Sequence, residues 1–306
     1  MSTFKRLTFG ISALAFSVAV SAADEANSAA NRKVSFTPPG SDSASQDINA
    51  SGALKEAELP ALVFSAPPRE ASEEAKHLYE PIAQYFSRVL GRKVEYRHPK
   101  SWLTYQNEMA KGEYDIVFDG PHFNSWRISR LQHNTLVKLA DEHAFVVVKR
   151  RDNSQVTSLK NLNGKKICGM GSPNLGTLAL MAEFDPLRQP VIMESSSWYK
   201  VYEGVIEGRC AAGTLPVAIL NKIDGGGNFT QIIHRSRVLP NQAFSAGPRV
   251  TGEEQMKLSK ALISDEARQT FTALLTANGS QKGFALASKE EYVGLDTYLK
   301  DVWGYR

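Results

Sequence analysis

Three short stretches bring together side chains and backbone suited to holding a small anion. Arg69 follows an apolar run and two prolines, Pro67 and Pro68. Asp119-Gly120-Pro121-His122-Phe123 closes a second apolar run, and Gly171-Ser172-Pro173-Asn174-Leu175-Gly176-Thr177 closes a third. Each marks a place where a strand gives way to a helix. A helix N-terminus presents unpaired N–H groups and a partial positive charge, so it attracts an anion without a metal. In the third stretch Ser172, Asn174, Gly176 and Thr177 offer a ligand hydroxyls, an amide and backbone, or else they cap the helix. Arg69 would pair with an anion or stay solvated. Asp119 repels a phosphate dianion; it would accept a hydrogen bond from a ligand hydroxyl or amine, or cap its own helix. Gly120, His122 and Phe123 would wall the same crevice, with core packing as the alternative for Phe123. Tyr105, beside Trp102, sits at the corresponding turn of the first half. Trp198 follows Ser195-Ser196-Ser197, and Thr214 follows Ala212-Gly213, where small residues let backbone approach a ligand.

This is binding chemistry, not catalysis. The sequence has no Gly-x-Ser-x-Gly elbow, no His-Glu-x-x-His pair and no phosphate-binding Walker loop. Its six histidines lack metal-ligand spacing. Gly225-Gly226-Gly227 has no strand before it and reads as a loop. No metal site, cofactor or enzymatic activity is expected.

The elements that must position these residues alternate regularly. Ala61–Ser65 reads as a strand, and Leu78, Ile82, Phe86 and Val89 place a helix over 73–90, stopped by Gly91. A strand over 93–97, a helix over 101–111, a strand over 114–118 and a helix carrying Trp126, Ile128 and Leu131 follow. That succession predicts a parallel sheet covered by helices. After the apolar strand 144–148 the pattern restarts: strand 166–169, helix 175–184, strand 190–193, helix 198–207 and strand 210–215. Two similar α/β units with a crevice between them are expected. Thr251 with Glu254, and Ser288 with Glu291, have capping-box spacing near a helical C-terminus.

The ends and the composition set the setting. Lys5 and Arg6 precede an apolar stretch, Leu7 to Val20, and small residues at 20–23, so residues 1–23 read as a cleavable export signal. The stretch is too short for a membrane anchor, and no Cys follows it for lipid attachment. Export to a periplasm is therefore expected. Residues 24–59 are rich in Ala, Ser, Asn and Asp and cannot bury enough surface to order themselves, which makes a disordered tether. The net charge of +4 and the lack of a basic, aromatic-interleaved run exclude a nucleic-acid partner. Two cysteines, Cys168 and Cys210, occupy short apolar segments, on strands expected to be neighbours. They are either buried thiols or a disulfide.

Tyr79-Glu-Pro-Ile-Ala-Gln-Tyr-Phe-Ser-Arg-Val-Leu-Gly91 and Gly112-Glu-Tyr-Asp-Ile-Val-Phe-Asp-Gly-Pro121, with Ser158-Leu-Lys-Asn-Leu-Asn-Gly-Lys-Lys166, resemble the PhnD-like periplasmic substrate-binding proteins. These serve phosphate, phosphite and phosphonate importers. The resemblance implies a type 2 periplasmic binding protein fold, with two α/β lobes joined by a two-strand hinge. The first lobe would comprise residues 60–148 and 240–306, the second 149–239. It also implies a monomer that closes on a small, anionic ligand and delivers it to an ABC permease. The alternative output is a signal to a membrane receptor or signalling enzyme. One departure is that the dense hydroxyl run typical of phosphonate binders is thinned at Gly171 to Thr177, where two hydroxyls and an amide remain.

Overall fold

The computed structural model describes residues 59–225, 228–302, 304 and 305. The expected export signal, and all of the expected tether except Leu59, lie outside the described residues.

Two mixed sheets form two α/β lobes. The chain runs through β1 (Leu62–Ser65), α1 (Ser72–Leu90), β2 (Val94–Tyr96), α2 (Trp102–Ala110), β3 (Ile116–Asp119), α3 (Pro121–Leu131) and β4 (Asn134–Leu139). It then crosses to β5 (Phe145–Arg150), β6 (Lys166–Met170), α4 (Leu175–Met181), β7 (Val191–Ser195), α5 (Trp198–Ile206), β8 (Ala212–Pro216), α6 (Val217–Ile223) and β9 (Thr230–Arg235). It returns through β10 (Ala243–Ala246), α7 (Gly252–Leu262), α8 (Asp265–Thr270), α9 (Thr272–Ala277) and β11 (Phe284–Leu286). The strand orders are β11-β4-β10-β3-β1-β2 and β7-β6-β8-β5-β9.

The three strand–helix units give parallel strands as expected, within a sheet that is mixed as a whole. β1, β2 and β3 are parallel, but β10 inserts antiparallel between β3 and β4. The reason is connectivity: a chain returning from the other lobe enters from the opposite end. β10 and β11 have only four and three residues and lie on the returning part of the chain, outside the strand–helix alternation. The Ser288–Glu291 capping box closes only a three-residue 3-10 turn, whereas Thr251 and Glu254 cap α7 as spaced.

Helical spacing does the packing in the first lobe. Ala75, Tyr79, Ile82, Ala83 and Phe86 form the buried face of α1, which meets Phe64, Phe244 and Phe271 in one aromatic core. Gly91, in the left-handed region at φ 62°, ends the helix without a Cβ penalty. A second cluster, with Tyr105, Val117, Phe123 and Trp126, packs α2 and α3 on the other face. The lobes are joined by two crossings, bridged between His143 and Leu239. A late 3-10 turn, Leu295–Leu299, is not confined to the first lobe. Leu295 clusters with Phe145, Leu175 and Leu239, so this turn packs where the lobes meet.

In the second lobe α5 lies close on the sheet. A Cβ on Gly204 would fall 2.5 Å from Cys168 Sγ, and one on Gly213 2.7 Å from Val205. Cys168 is bonded to Cys210 across Cα atoms 5.6 Å apart, which resolves the choice left open by the sequence. The bond closes a 42-residue separation, for which chain entropy gives about 4 kcal/mol of stabilisation. The double variant Cys168→Ala/Cys210→Ala should therefore lose about 2–4 kcal/mol of unfolding free energy. Denaturant titration of oxidised protein and variant checks this; coincident curves would contradict it.

Candidate functional site

The carboxyl ends of β1 and β3 lie side by side, with Ser65 paired to Val117. The loop after β1 therefore carries Arg69 to the end of β3, where Asp119 sits with no solvent exposure. Arg69 Nη2 lies 3.4 Å from Asp119 Oδ1, and its Nη1 donates to Gln242 Oε1 at 3.0 Å. Gln242 is tied in turn to Asn278 at 2.6 Å. Beneath them Arg127 Nη1 donates to Asp119 Oδ2 at 2.8 Å, and the Tyr105 hydroxyl donates to the same oxygen. The Gly120 N–H donates to Asp119 Oδ1 at 2.7 Å. Burial raises the Tyr105 pKa well above the ordinary tyrosine value, so its hydroxyl keeps its proton.

α3 starts beside this group. Its N-cap Gly120 has no side chain to donate to, and Pro121 occupies the first turn. The first-turn N–H groups of His122 and Phe123 thus have no side-chain acceptor. A Cβ on Gly120 would meet the His122 ring at 3.0–3.1 Å and Arg69 Nη2 at 3.8 Å. The absence of a side chain at Gly120 lets the His122 ring lie this close to the start of α3.

Across the cleft, β6 ends in the Gly171-to-Asn174 turn. Asn174 spends its side chain on the Gly176 N–H at 2.9 Å. His122 reaches over to this turn, its Nε2 3.0 Å from the Pro173 carbonyl. A carbonyl only accepts, so the proton is on Nε2 and Nδ1 is an acceptor. Nδ1 is buried and has no partner among the described residues.

The cleft encloses about 520 Å³ and is lined from both lobes. Of the residues singled out by sequence, Arg69, Gly120, His122, Phe123, Ser172, Asn174 and Trp198 line it. Five do not. Tyr105 and Asp119 lie beneath the floor, because the buried Asp119 charge draws its donors inward. The Thr177 hydroxyl turns back to the Met170 carbonyl at 2.5 Å. Gly176 backs onto the Phe145 ring, 2.7 Å from where its Cβ would lie. Thr214 is inside β8, which runs on to Pro216, and Pro216 takes the wall position instead.

Sequence reasoning passed over Glu70, His143, Glu194, Gln242 and Asn278, which also line the cleft, as does Ser195 of the serine run before Trp198. Glu194 lies at the end of β7, so the same strand-end rule would have found it. Gln242 and Asn278 belong to the returning chain and carry no local signal. Glu194 folds over Gly171, its carboxylate 2.9 Å from the Cβ position there, and makes no ion pair among the described residues. Asp141 accepts from Ser280 and from the N–H groups of 281 and 282, and Glu142 pairs with Arg235. Burial raises the pKa of Glu70, whose Oε2 is unpartnered.

Residues 64–292 match the family described as ABC transporter, phosphonate, periplasmic substrate-binding protein. The chain belongs to that family. Its members are non-catalytic binding components of ABC transporters. No curated protein matches the sequence. Among solved structures, PhnD1 from Prochlorococcus marinus in complex with methylphosphonate is 15% identical, with TM-score 0.62 over 78% of this chain and 97% of that one. XAC2383 from Xanthomonas citri bound to ATP is 14% identical, with TM-score 0.62 over 79% and 99%. A binding protein component of an ABC phosphonate transporter from Pseudomonas aeruginosa is 16% identical, with TM-score 0.57 over 76% and 83%. At these identities the likeness is one of fold.

Among the described residues no helix is long and apolar enough to cross a membrane, and no group of metal-ligating side chains is assembled.

Burial makes this member of the family acid-sensitive. It lowers the His122 pKa to about 4 against opposition from Asp119 and the Pro173 carbonyl, and lowers that of His133 to about 3. Unfolded histidine titrates near 6.5, so below about that pH the unfolded chain takes up protons that the folded one refuses. Stability is full above that value and should fall as pH drops towards 4. In His122→Gln, which keeps a donor for Pro173, the slope in that window should shrink by about 1.4 kcal/mol per pH unit. Urea midpoints between pH 7 and 4.5 check it, and an unchanged slope would show that His122 is not held neutral.

Proposed function

We propose that this protein captures a small oxyanion-bearing ligand between its lobes and delivers it to an ABC permease. The observation that carries this reading is the end of the cleft built from Arg69, Gly120 and the start of α3. Arg69 is the cationic side chain of the described cleft wall, and it is braced by Gln242 so that its guanidinium is already oriented. The start of α3, with no side chain at Gly120, lies beside Arg69, so one ligand head group could meet both the guanidinium and the first-turn N–H groups. Charge-assisted bonds of this kind are worth about 1.5–3 kcal/mol each. The family description, phosphonate transport, and the phosphorus oxyanions of the methylphosphonate and ATP named above agree with such a head group.

The opposite wall favours a refinement. Glu194 is the carboxylate of the cleft wall left unpaired and exposed, beside the free hydroxyls of Ser195 and Ser196. A ligand with an oxyanion at the Arg69 end and an ammonium or hydroxyl at the Glu194 end would satisfy both walls. Closure would turn on the two crossings that act as a hinge.

Calorimetry and thermal shift with phosphate, methylphosphonate and an aminoalkylphosphonate test the reading. A ligand at about 100 times its Kd should stabilise the protein by about 2.7 kcal/mol. Arg69→Ala should weaken binding at least about tenfold, and Gly120→Ala should do so by filling the cradle. Glu194→Gln should remove any preference for the amino compound. If no oxyanion shifts the melting curve, the reading is wrong.

A further inference from the structure

Resting on the oxyanion reading of the cleft, we infer that Arg127, which never touches the cleft, sets the charge with which Arg69 meets the ligand. Arg127 is thus a positioning residue for anion capture. Asp119 is one carboxylate shared by two guanidiniums. Arg127 holds Oδ2 at 2.8 Å with both side chains essentially unexposed, while Arg69 stands at 3.4 Å from Oδ1 with 28% of its side chain exposed. Tyr105 and the Gly120 N–H add neutral donors to the same carboxylate. One negative charge against two positive ones leaves a surplus of one, and among the described residues the only charged member of the group that reaches the cleft is Arg69.

Of the carboxylates that line the cleft, Glu142 is paired with Arg235, and Asp141 accepts from Ser280 and two backbone N–H groups, so neither is bonded to Arg69. His122 lies close and is neutral. Glu70 adjoins Arg69 in sequence yet makes no ion pair with it, and burial raises its pKa against the opposing pull of the Arg69 charge. Without Arg127, the charge of Asp119 would fall on Arg69 alone. The pair would then be neutral, Arg69 would be held against the carboxylate, and an approaching anion would meet no net attraction. A purely structural role for Arg127 makes a different forecast, because it depends on bonds lost and not on charge left over.

Isothermal titration with methylphosphonate and inorganic phosphate on the full chain separates the two, with circular dichroism and melting curves recorded for each variant. Arg127→Gln should weaken binding about tenfold or more, since a unit charge a few ångströms away carries that much in a partly buried site. Asp119→Asn, nearly isosteric, should bind no more weakly than the wild type. The double variant Arg127→Gln/Asp119→Asn, which restores the surplus on Arg69, should recover affinity to within a few-fold of the wild type. If Arg127→Gln does not fold, the other two variants decide alone. A folded double variant, or a folded Asp119→Asn, that binds about tenfold more weakly overturns the inference, as does an unaffected Arg127→Gln. A wild type that binds no oxyanion overturns the cleft reading together with it.

Discussion

A carboxylate with no access to water sits at the end of β3, and everything around it is arranged to compensate its charge. Removing one partner from a buried ion pair typically costs about 3–5 kcal/mol, so Asp119 needs its donors held in place. They come from four separate parts of the chain: Gly120 at the start of α3, Arg127 two turns further on, Tyr105 from α2 and Arg69 from the loop after β1. The group therefore ties two helices, a strand end and a loop into one unit. The Tyr105 ring adds to this by stacking on Tyr114 and meeting Phe123 edge-on.

That unit makes one wall of the cleft a fixed surface. The other wall is built differently, from a turn and a strand end whose polar groups are largely spent on local bonds. Asn174 caps α4, Thr177 bonds Met170 and Ser197 caps α5. What remains for a ligand there is Ser172, Ser195, Ser196 and the carboxylate of Glu194. The two walls thus offer a ligand different groups, a guanidinium at Arg69 and an unpaired carboxylate at Glu194.

The lobes meet at more than the two crossings. His122 spans the cleft to Pro173, and Leu295 joins residues of both lobes in one apolar cluster. The first contact needs a proton on Nε2, which the imidazole keeps there when burial holds the ring neutral. The second ties the end of the chain to the same joint, which is why the last turn cannot be assigned to one lobe alone.

The sequence by itself determined the alternation of strands and helices, a second α/β unit, the turns at strand ends and the absence of enzyme signatures. Each of these rests on local periodicity or on a glycine or cap that acts within a few residues. The sequence reading put the strand over 144–148 in the first lobe, whereas β5 pairs with β8 and β9 in the second. Family resemblance added the two-lobed fold. Only the tertiary structure decided which turn residues face the cleft. Thr177 and Asp119 have the right chemistry in the right turns, but a carbonyl and a buried guanidinium claim them first. Cys168 and Cys210 likewise needed two strands brought together before their bond could be read. Gln242 and Asn278 lie far along the chain from Arg69, which they brace. A side chain's direction depends on the competing partners that folding places around it, and that competition is not written in local sequence.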